Sequence, residues 1–530
     1  MRVSVFPTAR RRRLRAGIAV AVLGTVVGAC ALQPDPLTQA ETEARIQSDL
    51  QTLFSEQEPI DGPLGLYDAM ARAVMYNLDH RVEVMSEAVS QHQLDLSRYD
   101  LLPRVVAEAG YRSRSDVDAS SSENVETGVE SLAPSTSQER DIFTADLNLT
   151  WNVLDFGVSY FTAQQQADRA MIAYERRRKV VHGIIQDVRA AYWRAVAAQR
   201  LQNRIGPLLD RVERARGDSE RIEQLRLDSP LNALNYQRTV LDAKRQLQTL
   251  RQDLALAKIE LATLMNLPPD RDFDLAMPED DVVLDEMALQ PSELEQLALA
   301  YRPELREEDY QSRVSAAETR KALIRFLPGL EVFSGLHYDS NDFLVNNNWA
   351  DYGVRVSWNL LNLLSAPARF EQAESQEQLV AARRQALSMA VLTQLYVSYG
   401  SYRQATELYR TNKDVADVEE RILAQLRTTQ EAATGGELAV IRGELNALVA
   451  QLRRDLAFAR AQNALGQVYV TVGADPLPET IEAAEVAVVA DAIRDTLRGW
   501  QDGRLFMRST QLDVGAEQGL PDAGNDWGVF

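Results

Sequence analysis

Residues able to do chemistry are sparse in this chain of 530 residues. It has four histidines, His80, His92, His182 and His337, and none stands at a metal-ligand spacing from another. Its one cysteine, Cys30, excludes a disulfide within the chain, and its ten methionines are dispersed. There is no phosphate-cradling loop and no dinucleotide fingerprint. Ser, His and Asp never gather into a local nucleophile signature. The expectation is a protein that is not an enzyme and that needs no cofactor and no metal. Glu437 and Glu444 stand seven apart, so on a helix they share a face.

The frame around these residues begins with charge. The formal net charge is −20, with 45% hydrophobic and 25% charged residues. The first 29 residues hold six arginines and no acid, so the remainder has 51 basic against 77 acidic residues, a balance of −26. Such a body lacks the basic footprint of nucleic-acid binding, and no nucleic-acid partner is expected. At the start, "ARRRRLRAG" leads into "IAVAVLGTVVGA" and then Cys30. That is the order of a secretory signal, and the apolar run is shorter than the ~20 residues of a spanning helix. Val27-Gly28-Ala29-Cys30 resembles a bacterial lipobox. This implies a signal peptide over 1–29, acylation at Cys30, and an anchored segment over 30–60. Ala31 resembles the residue that sorts lipoproteins to the outer membrane. A plain signal with a chance cysteine is the alternative.

The rest of the chain is two copies of one unit. Tyr76, Arg81 and Leu102-Pro103 pair with Tyr301, Arg306 and Leu327-Pro328 at an offset of 225. Trp151 and Tyr192 pair with Trp358 and Tyr399 at 207, and Leu250–Lys258 with Leu452–Arg460 at 202. The drop of 18 marks a longer insert in the first copy, the Ser- and Glu-rich "SDVDASSSENVETGVESLAPSTSQERD", which reads as an exposed loop. The repeats span 61–270 and 291–475, joined by a linker over 271–290, and 476–530 forms a C-terminal helix and loose tail. Each copy runs helix, strand, loop, strand, very long helix, break, long helix. A breaker-poor stretch from Phe161 to Ile205 predicts a helix of roughly 65 Å, and Leu231–Leu267 one of roughly 55 Å. Turn chemistry at Leu225–Leu234 and Thr434–Ile441 places the tips of two helical hairpins.

Between the helices lie four stretches with a period of two. In Phe143–Val153 every odd residue is apolar and every even one polar. Tyr352–Leu360 alternates likewise, and the partner strands start after Pro103 and at Leu330, giving β-hairpins over 104–153 and 330–360. Tilted strands of this length match a membrane's hydrocarbon core, where only closed barrels satisfy their backbone. Four strands cannot close, since spanning barrels start at 8. Several chains would have to share one barrel, with Asp146, Asn148, Arg355 and Asn359 facing its water. A soluble sheet packed on the helices is the rival. Trp151, Trp358, Tyr192 and Tyr399 then read as interface and packing aromatics rather than a cofactor box.

The double repeat, "LYDAMARAVMYNLDHRV", the Leu-Pro before each first strand, "LTWNVLDFG" and the broken helical hairpins resemble the TolC-type outer-membrane factor family. The resemblance covers about residues 60–475. It implies a mainly α fold with a small β part: a homotrimer whose 12-stranded β-barrel crosses the outer membrane above a long α-helical periplasmic tunnel. It also implies the partners, namely a periplasmic membrane fusion (adaptor) protein, a proton-driven or ABC inner-membrane pump, and outer-membrane lipid. The implied function is the exit duct of a tripartite export system for small molecules. Type I protein secretion is an alternative, and so is a non-conducting structural lipoprotein. By the same resemblance Glu437 and Glu444 are gate candidates at the periplasmic end. Asp228, Ser229, Pro230, Gly435, Gly436 and Leu438 are candidates for docking the adaptor. The first tip, "LDSPLN", lacks the glycine that the second, "ATGGEL", keeps.

Overall fold

The computed structural model describes residues 36–54, 57–131, 133–225, 229–277, 284, 287, 289–432, 436–477 and 485–505. The chain forms two compact units, residues 1–57 and 58–530. In the first, helix α1 (Gln39–Thr52) opens with a capping box: Thr38 accepts from the Glu41 amide, and Glu41 reaches back to the Thr38 amide.

The second unit is built on helices of unusual length. In order come α2 (Leu66–Tyr76), α3 (Leu78–Tyr99), strands β1 (Arg104–Ser113), β2 (Ala119–Ser120), β3 (Ser135–Thr136) and β4 (Asp141–Asn152), then α4 (Val153–Gln224) and α5 (Pro230–Leu264). The second half repeats the pattern: α6 (Pro291–Tyr301), α7 (Pro303–Ile324), β5 (Gly329–Asp339), β6 (Asn348–Ser357), a short 3₁₀ turn (Leu360–Ser365), α8 (Ala366–Glu431) and α9 (Glu437–Val472). Helix α10 (Val486–Gln501) follows. At 1.5 Å per residue the 72-residue α4 is about 108 Å long and the 66-residue α8 about 99 Å.

Helix α4 starts earlier and ends later than the breaker pattern predicts. Its start is set by Asn152, whose side chain accepts from the amides of Leu154 (3.0 Å) and Asp155 (3.3 Å), so strand passes directly into helix. Asn359, the same residue in the second copy, accepts from the Leu361 amide at 3.2 Å. It therefore caps a turn below the sheet and is not a strand residue: β6 ends at Ser357, short of the expected Leu360. Helix α4 also runs through Pro207. Proline normally crowds the Cβ of the residue before it out of the helical region, but Gly206 has none. Buried Leu201, Ile205, Leu208 and Val212 then hold the turn in a seam with Val240, Leu247, Ile441 and Leu448.

The two helical hairpins, α4 with α5 and α8 with α9, pack against one another through α4 and α9. A larger core lies nearer the sheet. Met70, Leu261, Met265, Leu294, Leu395 and Ile493 are fully buried there, drawn from both copies and from α10. Gly473 ends α9 in the left-handed region (φ +79°), with its Cα against the Tyr301 and Arg302 backbone, where a Cβ would collide. The predicted C-terminal helix begins at Val486; residues 478–484 lie outside the described residues. No described helix is long and apolar enough to cross a membrane.

Candidate functional site

Strands β1, β4, β5 and β6 form one antiparallel sheet in that order, so each copy gives one hairpin and the β4–β5 pairing joins them. The register decides what each face carries. Val105, Ala107, Ala109 and Tyr111 stand opposite Leu149, Leu147, Ala145 and Phe143. Val332, Ser334, Leu336 and Tyr338 continue that face across β5, and Val354, Tyr352, Ala350 and Asn348 across β6. None of these is charged. Tyr352 is 87% and Tyr111 71% exposed, and Val354 and Leu147 are exposed as well. The other face carries Glu108, Asp146, Asn148, Glu331, His337, Asp351 and Arg355. An apolar face left open beside a polar face partly covered by its own side chains is the reverse of a soluble sheet.

Contacts on the polar face cross three strands. Arg355 Nη1 donates to Glu331 Oε1 at 2.8 Å, and its guanidinium lies over the Phe333 ring, 5.2 Å from the centroid. That ring covers Gly353, directly opposite in register. His337 Nδ1 lies 2.6 Å from Asp146 Oδ1 on β4, and its Nε2 lies 3.2 Å from Asp351 Oδ1 on β6. Its ring stacks on Trp349 at 5.2 Å. At either side of the sheet, β1 and β6 keep an unpaired edge.

At the far end are the hairpin tips. Cys30, Asp228 and Gly435 lie outside the described residues. Ser229 caps α5 by accepting from the Asn232 amide at 3.4 Å, and Pro230 is the first residue of that helix. Gly436 caps α9 at an ordinary φ of −90°, Leu438 is half-buried in the hairpin seam, and Glu437 is exposed in the first turn. Glu444 differs from Glu437 although both are on α9. It pairs with Arg211 of α4 and, at 2.9 Å, with Arg427 of α8. Burial would raise its carboxyl, but the hydrogen bonds from Arg427 and Arg211 outweigh that and hold it below the usual range. The structure thus separates the two acids: one is open at the tip, the other clamped between helices.

That clamp is one rung of a ladder. Arg200, Arg204 and Arg211 of α4 face Asp455, Gln451 and Glu444 of α9, with Arg200 Nη1 3.3 Å from Asp455 Oδ1. The intervals mirror each other, 4 then 7 along α4 and 7 then 4 along α9, as an antiparallel pair requires. This spacing is present in the sequence and is the signal that would have revealed the contact between hairpins.

A second ionic cluster is buried near the main core. Arg178 makes a two-pronged contact with Asp475, Nε to Oδ1 at 3.0 Å and Nη2 to Oδ2 at 2.8 Å, and donates to Glu175 at 2.5 Å. His182 Nε2 lies 3.1 Å from Asp475 Oδ1. Burial raises the Glu175 carboxyl. Asp475 goes the other way: despite burial, the His182 hydrogen bond and the Arg178 charge hold it at about 2. The cluster ties α4 to the chain just beyond α9. Among the described residues, no group of three or more His, Asp or Glu is arranged to hold a metal ion.

No protein-family model and no curated protein matches the sequence. Solved structures do match the fold. The Campylobacter jejuni CmeC outer membrane channel superposes with TM-score 0.62 at 12% identity, over 86% of this chain and 95% of that one. CusC gives 0.58 at 16%, over 84% and 100%. The Neisseria gonorrhoeae MtrE outer membrane channel gives 0.58 at 16%, over 79% and 94%. At such identities the likeness is one of fold: mainly helical, with long helices and a four-stranded sheet, this chain has the fold of the TolC-type outer-membrane channels.

Proposed function

We propose that this protein is an outer-membrane exit duct. Three copies close a 12-stranded barrel in the membrane and a helical tunnel below it. An adaptor and an inner-membrane pump deliver small molecules to the tunnel. The carrying observation is the sheet: an exposed apolar face, charged only at Asp141 at its far end, backed by a charged one, in four strands whose edges are unpaired among the described residues. Lipid covers the apolar face, neighbouring copies pair the edges, and water fills the charged side. The fold shared with CmeC and MtrE supports the same reading. The lipobox-like Val27–Cys30 supports an acylated member, which inclines the choice toward small molecules over protein secretion. Docking of the adaptor falls to the hairpin tips around Ser229, Gly436 and Leu438.

The test is the purified full-length protein in detergent and in planar bilayers. The expected result is a trimer by light scattering that conducts ions. A monomer, or a trimer that never conducts, overturns the duct. Metabolic labelling with palmitate examines the anchor separately: label is expected on the wild type and absent from Cys30→Ser.

A further inference from the structure

On the polar face of the sheet, the surroundings of His337 demand a particular protonation state. An ionised carboxylate only accepts hydrogen bonds, and a neutral imidazole has one N–H and one bare nitrogen. His337 faces a carboxylate oxygen from each ring nitrogen, Asp146 at 2.6 Å and Asp351 at 3.2 Å. Only the imidazolium, with a proton on both nitrogens, satisfies both. The neighbourhood is made for this ring. Gly335 stands beside it, where a Cβ would collide with His337 Nε2, Asp351 Oδ1 and Asn148 Oδ1, and Trp349 covers its face. Its three strands are the central β5 and the flanking β4 and β6. Other charged groups share this face. Glu108 of β1 stands in the same rung beyond Asp146, Asp339 lies two residues along β5, and Glu331 further along β5 is already paired with Arg355. Among the described residues these acids and the histidine form no group arranged to hold a metal ion, so the cluster is not read as a metal site.

We infer that His337 is the residue that sets the ion selectivity of the barrel lumen, as a clamped cation whose loss of a proton doubles the negative charge of its cluster. The inference rests on the duct reading, since it needs the polar face to line a pore. Protonated, Asp146, His337 and Asp351 sum to one negative charge per copy; deprotonated, to two. In a trimer the ring of clusters goes from three negative charges to six. The permeating species concerned are small inorganic cations, which such a ring concentrates while excluding anions. The released proton goes to water in the lumen.

The experiment measures reversal potentials of the reconstituted wild-type channel in a potassium chloride gradient. The pH is taken from about 5 to about 9, a range in which histidine titrates and ordinary carboxylates and guanidinium groups do not. The potassium-over-chloride permeability ratio is expected to rise about two-fold near 0.1 M salt, and the rise to fade near 1 M, as screening over a Debye length dictates. His337→Asn and His337→Gln should conduct without that step. A wild-type ratio that is flat with pH overturns the inference and leaves the duct standing, as does a step retained in either variant. A channel that conducts at no pH removes the duct and the inference together. Should both variants fail to assemble, nitrogen NMR of the labelled His337 ring decides it on wild type: two protonated ring nitrogens near neutral pH are expected, and one bare nitrogen refutes it.

Discussion

The sheet and the helical body of residues 58–530 treat their apolar residues differently. The helices bury apolar seams, with Leu201, Leu247, Leu395 and Ile441 at zero exposure, although Val82, Leu256 and Val397 stay exposed and the Arg178 cluster is buried. The sheet leaves Tyr352, Val354 and Val356 open and puts its charges on the other side. On the proposed duct reading, one chain faces two solvents. Where the covering medium is hydrocarbon, the hydrophobic effect gives no reason to hide Leu147 or Val354, and the polar groups are the ones that must turn inward. Asn152 and Asn359 cap the passage from sheet to helix in each copy, and on the proposed duct reading the change of solvent falls near them.

The strongest way to break this contrast is to put a charge on the wrong face. Leu147→Arg lies mid-strand on the apolar side, opposite Ala107 and Leu336. At a membrane midplane an arginine costs about 2–4 kcal/mol per copy, and the proposed barrel holds three copies. Loss of assembled trimer from the outer-membrane fraction is expected, while Asn148→Arg, one residue away on the polar face, should assemble. Equal tolerance of the two would mean that the apolar face does not meet lipid.

Next in size is the buried cluster of the helical body. Asp475→Asn leaves Arg178 and His182 without their carboxylate, a loss on the order of 3–5 kcal/mol for a broken buried pair. Calorimetry of wild type and variant should show that deficit at neutral pH. The pH dependence has a definite sign. A free aspartate titrates near about 3.9, and this one is held at about 2, so its contribution is complete above about pH 4 and vanishes as pH falls toward 2. The two melting curves should therefore converge in acid. Curves that stay apart by the same amount down to about pH 2 would show that the charge of Asp475 is not what stabilises the junction.

Much of the fold could be read from residue order, because its two signals are periodic. Alternation in Phe143–Val153 located β4, and the duplicate around Trp358 located β6 to within a few residues. The length of α4 could not be read so simply. Gly206-Pro207 looks like a stop, and only the packing of both hairpins around Ile205 and Leu208 carries the helix past it. Site residues were harder still. Glu437 and Glu444 share a helix, yet their fates differ because Arg211 and Arg427 come from other elements. The clamp on His337 was equally hidden. Its partners Asp146 and Asp351 come from neighbouring strands, and only the register brings them to one rung and the next. A contact that depends on register between distant segments leaves no local pattern, except where intervals mirror as they do for Arg200, Arg204 and Arg211.

The smallest effect sharpens the contrast at the tip, where charge is both a tether and a surface. Glu444 holds α9 to α4 and α8 at once, while Glu437, seven residues earlier, is exposed at the start of the same helix. Its two arginines keep partial solvent access, so the tether is worth about 1 kcal/mol and melting should barely move. Function responds more than stability, because the tie joins the two hairpins that would have to part for the tunnel to widen. Single-channel conductance is expected to rise in Glu444→Gln and to hold steady in Glu437→Gln. Both variants remove one negative charge per copy, so a change common to both would assign the effect to the electrostatics of the entrance. A change confined to Glu444 assigns it to the tie, and no change in either removes both acids from the proposed gate.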